Sequence, residues 1–349
     1  MVTQHLDRPL PDKPHRVGGI GLQDCGLATH WNSVEPVRKA MRDWSGMDKV
    51  LLQAQQQGWV VLDTIRGTPT WCADSERPDG YNRPGGSSWP TDLQALEDHV
   101  RERIYRYNVA SPVRMWNRGP VIKYLKIGNE FVWDFEPVIR PKDAPANWVP
   151  RWDLAAWYFM AARQGAIDAG NAVQCLTPAF PAGHITQLAD FLAALAKHGG
   201  DLAKRVDGVA INAYGHDIEK FATLLATARR IMRDAGLPDF IPIHITEAGH
   251  QARHKPAFLD LPEEQQGPAW ANAILWCVSQ GVASFQTYSL NPGQEAEDAG
   301  ELYGLAHHPG WARYLDILWP YVGHAVRYDR PGSTPNTHWW HLGGVKRLI

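Results

Sequence analysis

The stretch SGMDKVLLQAQQQG, residues 45–58, runs directly into WVVLDTIRG, residues 59–67. In its first half Met47, Val50, Leu51 and Ala54 recur at i, i+3, i+4 and i+7, which predicts an amphipathic helix. Ser45 is its expected N-cap, with Asp48 three residues on, and Gly58 its stop. The second half is a β-branched apolar run ended by Gly67 and Pro69, the pattern of a strand buried on both faces. Helix, glycine, strand, loop is therefore the unit from which the chain is built.

The same grammar returns on either side. Helical patterns end at Gly170, Gly199, Gly236 and Gly281, each followed by an apolar run, at residues 173–177, 209–214, 241–246 and 282–288. Another run, 122–127, follows the segment 91–107, in which Leu93, Leu96, Val100 and Ile104 share one face. Run starts at 122, 173, 209, 241 and 282 leave room for a helix in each crossover, so the strands are expected to be parallel. Two earlier runs, 17–22 and 27–31, bring the count to eight. The fold expected is α/β, a single (β/α)8 TIM barrel over residues 17–320, with an N-terminal arm, 1–16, and a short C-terminal extension, 321–349, packing on the barrel. That extension reads equally as a cap, a remnant of a β domain or an oligomer contact. A doubly wound sheet would want a phosphate loop after its first strand, and GxGxxG read from Gly19 meets Asp24 where the third glycine belongs.

Composition narrows the function. The 349 residues are 44% apolar and 21% charged, with 35 Lys and Arg against 37 Asp and Glu and a net charge of -2, so a nucleic-acid groove is not expected. No apolar stretch approaches the roughly 18 residues that span a bilayer, and residues 1–18 lack an apolar core, so no membrane partner and no Sec signal are expected. Location stays open between the cytoplasm, release by lysis, a phage particle and another export route, and nothing bears on oligomeric state. The 4 cysteines are scattered and read as buried thiols. Among 15 histidines no HExxH or carboxylate-rich set stands out, and no GxSxG is present, so neither a metal nor any other cofactor is expected. Trp, at 16, outnumbers Tyr at 11 and Phe at 9, which suggests a cleft that stacks on sugars.

In such a barrel reactive groups stand at the C-terminal ends of strands. Two carboxylates do so: Glu130, closing KIGNE after the fourth run, and Glu247, closing ITE after the seventh. A carboxyl pair flanking a glycosidic bond is the minimum apparatus for hydrolysing it. At the roughly 5 Å of a retaining enzyme, two ionised carboxylates repel by about 3 kcal/mol at an effective dielectric near 20, so one keeps its proton. Glu130 takes the acid/base role and Glu247 that of nucleophile. Asn129 is expected to bond the sugar 2-hydroxyl, and Tyr214 to orient Glu247. Trp71, Trp133 and Trp31 are candidate sugar platforms, with Trp71 and Trp133 preferred, and Gln286 and Tyr288 on the last strand are candidates for a hydroxyl contact.

Asn129-Glu130 and Thr246-Glu247 in this order resemble the clan A glycoside hydrolases, and more closely family 39 with its biofilm-matrix endoglycosidase-like members. Trp44 with Asp48 is similar to that family's Trp-x-x-x-Asp, residues 68–73 (TPTWCA) to its Thr-Pro-x-Trp-Ala loop, and Arg103 to Tyr107 to its Arg-Tyr. Gly199-Gly200 with Val206-Asp207-Gly208-Val209 is similar to the approach to its sixth strand. The resemblance spans about residues 19–288 and implies a retaining, endo-acting enzyme on a bacterial surface or matrix polysaccharide. It carries acid/base onto Glu130, nucleophile onto Glu247 and the neighbouring amide onto Asn129. Two positions that the resemblance turns toward the sugar depart from the pattern: Thr29-His30-Trp31-Asn32 stands for Arg-x-Trp-Asp and Asn212-Ala213-Tyr214 for His-x-Tyr. These departures motivate the alternative reading, a catalytically weak carbohydrate-binding or virion-associated barrel. An aldolase would want a strand-end lysine, and Lys123 and Lys126 precede the end of theirs.

Overall fold

The computed structural model describes residues 2–3, 19–22, 29–56, 60–74, 88–107, 122–135, 137–140, 144–170, 173–214, 217–249, 263–287, 326–328, 339–342 and 345–348. The strands are β1 (Val2–Thr3), β2 (Gly19–Leu22), β3 (Val60–Ile65), β4 (Ile122–Ile127), β5 (Gln174–Leu176), β6 (Phe180–Pro181), β7 (Val209–Asn212), β8 (Ile243–Ala248) and β9 (Val282–Thr287). Between and around them lie α1 (Trp31–Val34), α2 (Ser45–Gln56), α3 (Leu93–Arg106), α4 (Phe131–Asp134), α5 (Trp152–Asp168), α6 (Gln187–Gly199), α7 (Ile218–Asp234) and α8 (Glu263–Ser279).

The nine strands form one parallel sheet in the order β5-β4-β3-β2-β1-β9-β8-β7-β6. Its two ends, β5 and β6, are successive pieces of one stretch of chain. Asp207 N donates to Cys175 O (3.1 Å) and Thr177 N to Gly208 O (3.0 Å), which ties β5 to the β7 edge and closes the ring. With β5 and β6 taken as one stave, the expected eight are present.

One of those eight is not a run the sequence suggests, and one suggested run is not a stave. The first stave is β1, inside the segment expected to be an arm, and it pairs with both β2 and β9. The run 17–22 supplies the second stave, described over Gly19–Leu22, and of the run 27–31 the described residues, 29–31, supply none: Trp31 opens α1 instead. Parallel neighbours cannot be joined across the four residues between those two runs, since a crossover needs a dozen or more. Residues 326–328, 339–342 and 345–348 form a separate three-stranded antiparallel sheet, whose first strand lies beside α8.

Alternation along the staves sorts side chains between the ring interior and the helical layer. On β3, Val61 and Ile65 face the helices, and so does Asp63, where Arg103 of α3 meets it with two bonds (2.7 and 2.6 Å) and reaches on to Thr29 O (2.6 Å). Breaking such a buried pair costs about 3–5 kcal/mol. Inside the ring Leu62, Tyr124, Leu176, Ala179 and Ala210 make the lower layer, with His244 against Tyr124 and bonded to Ser284 (2.8 Å). Above them the interior turns polar.

Helix starts follow local chemistry. Asp92 caps α3 by accepting from Ala95 N (3.1 Å), and Asp217 caps α7 by accepting from Lys220 N (2.8 Å). At α2 the capping carboxylate is Asp43, on Ser45 N (2.9 Å), and not Ser45 itself. Asp48 is instead taken by Arg106 (2.9 and 2.6 Å) and Tyr107 (2.9 Å), which fastens α2 to the end of α3. Helices α3 and α5 approach so closely at Gly165 that a Cβ there would stand 2.3 Å from Glu97 O.

Candidate active site

Three staves, β4, β7 and β8, bring polar groups to the upper end of the ring. From β4 comes Lys126, whose inward neighbour two residues below is Tyr124. The chain then turns at Gly128, at φ +88°, and Gly128 N donates to Ile65 O (3.0 Å). A side chain there would meet the Phe131 ring at 2.1 Å, so only glycine lets the backbone turn closely enough to deliver Asn129 and Glu130 into the ring mouth. From β7 comes Asn212, and beyond it Tyr214.

Glu247 owes its direction to a register shift. Ile211 pairs with Ile245 but Asn212 with Glu247, so Thr246 is an extra residue on β8. Strict alternation from His244, which faces the interior, would send Glu247 outward. The bulge turns it in, directly beside Asn212.

The resulting contacts form one network. Asn212 Nδ2 donates to Glu247 Oε1 (2.5 Å) and to Glu130 Oε1 (3.0 Å). Two oxygens bonded to one nitrogen lie no farther apart than about 5.5 Å, short of the roughly 6.5–9.5 Å at which inverting glycosidases hold their carboxyl pair. Tyr214 OH donates to Glu247 Oε2 (2.5 Å), and Lys126 Nζ lies 3.8 Å from Glu247 Oε1. Thr246 Oγ1 donates to Asn212 Oδ1 (2.8 Å), which fixes the amide with its nitrogen toward the carboxylates. Lys126 Nζ donates to Asn129 Oδ1 (2.8 Å), which turns the other end of that amide away from the lysine. Glu247 is buried among donors, whereas Glu130 is half-buried. Such a pair, one carboxylate stabilised as the anion and the other more open, suits attack by the first and proton transfer by the second.

The other expected site residues divide. Asn212 is a bridge between the two carboxylates, a role its sequence gives no hint of. Trp133, on α4 three residues past Glu130, is 58% exposed and stands edge-on to His184 (4.7 Å, 88°), leaving its indole open. Trp31 is corrected: it is 0% exposed, stacks on His99 (5.5 Å) and meets Trp71 edge-on (5.8 Å), so it is core and touches no solvent. Trp71 spends its indole nitrogen on Glu35 O (2.9 Å) and carries the Arg38 guanidinium over its ring (5.8 Å). His30 is buried against Gly67, where an added Cβ would meet its own at 2.8 Å. Gln286 is fully buried on β9, and Tyr288 lies outside the described residues.

Lys126 is the residue that sequence reasoning passed over. Its position inside a strand was visible, but a lysine in an apolar run carries no sign of what it faces. Other chemistries find less support. Cys72, Cys175 and Cys277 are buried free thiols, and burial pushes Cys175 up to about 12, so none is a nucleophile in waiting. Among the described residues no group of three or more His, Cys, Asp or Glu stands together, and no helix is long and apolar enough to cross a membrane.

No protein-family model matches the sequence, and no curated sequence matches it. Solved structures do share the fold. A family 39 glycoside hydrolase from the gut symbiont Bacteroides cellulosilyticus superposes with a TM-score of 0.64 at 13% identity, over 99% of this chain and 68% of its own. A glucosidase from Croceicoccus marinus gives 0.59 at 15% identity, over 93% and 68%. A GH10 xylanase from Bispora gives 0.53 at 12% identity, over 85% and 87%. At these identities the likeness is one of fold: the (β/α)8 barrel expected from the strand grammar is the fold this chain shares with them.

Proposed function

We propose that the protein is a retaining glycoside hydrolase, with Glu247 as nucleophile and Glu130 as general acid and base. The observation that carries this reading is the single Asn212 nitrogen bonded to both carboxylates, which keeps the two bonded oxygens closer than the spacing of an inverting pair. In the first step Glu247 attacks the anomeric carbon while Glu130 gives its proton to the departing oxygen, leaving a sugar ester on Glu247. In the second, ionised Glu130 takes a proton from water, the water oxygen bonds the anomeric carbon and the ester bond breaks. Asn129, with its amide nitrogen turned from Lys126, is the donor for the 2-hydroxyl. Trp133, exposed three residues past the acid, is the platform proposed for a sugar ring.

The finer reading is a family 39-like enzyme, endo-acting on a bacterial surface or matrix polysaccharide. Supporting it are the ordered motifs of the sequence and the family 39 hydrolase among the structures of like fold. Residues 17–320 with the added stave β1 form its barrel, and 321–349 an extension packed on it. The test is incubation with a panel of bacterial exopolysaccharides, with products sized by mass spectrometry. Shortening of one of them is expected, with Glu247→Gln abolishing turnover while folding and oligosaccharide binding persist. Full activity in that variant removes the nucleophile; retention without shortening of any polysaccharide favours a binding barrel instead.

A further inference from the structure

The interior of the ring holds a group that the two-carboxylate scheme leaves unused. Lys126 is 0% exposed, on the stave that delivers Glu130, with its ammonium bonded to Asn129 Oδ1 (2.8 Å) and 3.8 Å from Glu247 Oε1. A lysine buried this deeply sheds its proton unless anionic or dipolar partners compensate the lost hydration. Here both kinds are present. It lies too deep to touch a substrate, and its nitrogen is engaged, so it is no Schiff-base former.

We infer that Lys126 is a positioning residue of the reaction: its buried positive charge keeps Glu247 ionised and so leaves the catalytic proton to Glu130, while its bond to Asn129 aims that amide at the sugar. The inference rests on the hydrolase reading and deepens it. Two carboxylates joined to one Asn212 nitrogen compete for one proton: burial of Glu247 draws it toward that side chain, and the donors Asn212 and Tyr214 push it away. A cation beside Glu247 breaks the tie, because an opposite charge within about 4–6 Å favours the ionised form. The Asn129 orientation follows from the same atom: an ammonium has only donors, so the amide oxygen faces it and the NH2 faces away.

The test reads charge before it reads activity. In glutamate-δ-13C-labelled protein, with the Glu247 signal assigned through Glu247→Gln, the Glu247 titration midpoint should rise by about one pH unit or more on Lys126→Met. In the unmutated protein labelled with 15N-lysine, the Lys126 nitrogen should be cationic at neutral pH. A neutral amine there overturns the inference whether or not the variant folds, and so does an unchanged Glu247 midpoint in a folded variant. With a substrate in hand, Lys126→Met should move the acid limb of kcat/KM to higher pH and lower kcat while leaving KM near its original value. A purely structural lysine would change thermal stability and leave the profile in place. Protein that cleaves no polysaccharide while Glu247 still responds to Lys126 sinks the hydrolase reading alone.

Discussion

Asn212 does at the residue scale what neither carboxylate can do for itself. Two anions about 5 Å apart repel by about 3 kcal/mol, and a shared N–H donor between them offsets part of that while fixing their separation. Hydrogen bonds to charged groups are worth about 1.5–3 kcal/mol, so Asn212→Ala should lower kcat/KM about 10- to 100-fold with little change in melting temperature. Thr246→Val, of similar shape, removes the hydroxyl that holds Asn212 Oδ1 and lets the amide turn; a smaller loss, about 5- to 10-fold, is expected from the same assay. Unaltered rates in both variants would mean that the bridge has no part in turnover. Glu130 and Glu247 were legible in the sequence because an acidic residue closing an apolar run has few other places to be. Asn212 was legible only as a departure from a pattern, since its meaning depends on two groups far away along the chain.

Backbone irregularities at the ends of two elements, β4 and β8, aim the site. The turn after β4 works because Gly128 has no side chain, and Gly128→Ala would place a methyl 2.1 Å from the Phe131 ring at a positive φ. The combined strain should cost about 2–5 kcal/mol and shift Glu130, so both the unfolding midpoint and kcat should fall; a variant with native stability would show that the turn relaxes freely. On β8 the extra residue Thr246 turns Glu247 inward. Apolar periodicity finds such staves but not their bulges, because a bulge is set by the neighbouring strand's hydrogen bonds. The same limit explains β1, two residues whose pairing comes from open edges on β2 and β9. It explains Trp31 too, since an indole reads alike whether it faces a sugar or His99.

Across the whole molecule, buried imidazoles tie stability to pH. His99 lies stacked between Trp31 and Trp44, and neither ring nitrogen has a hydrogen-bond partner among the described residues. Burial first, then Arg103 and Arg42, hold it well below the usual histidine range; burial and then Lys123 lower His244 to about 4. Both are therefore neutral in the fold, while the unfolded chain takes up protons near pH 6.5. Stability should be flat above pH 6.5 and fall as pH drops below it, by about 1.4 kcal/mol per pH unit for each histidine. Denaturant midpoints between pH 7.5 and 5.5 check this, and His99→Phe, which keeps a ring between the indoles, should halve the slope. A flat profile in the unmutated protein would show that both rings can charge in place, and a halved slope that one can. What the sequence by itself determined is the repeat of helix, glycine and strand, the parallel ring it implies, and the two strand-end carboxylates, because each is written in short-range periodicity. Only the tertiary structure decided that Asn212 bridges the pair, that Lys126 lies beneath it and that Trp31 is core, because those facts depend on which staves become neighbours and which way each residue faces when the ring closes.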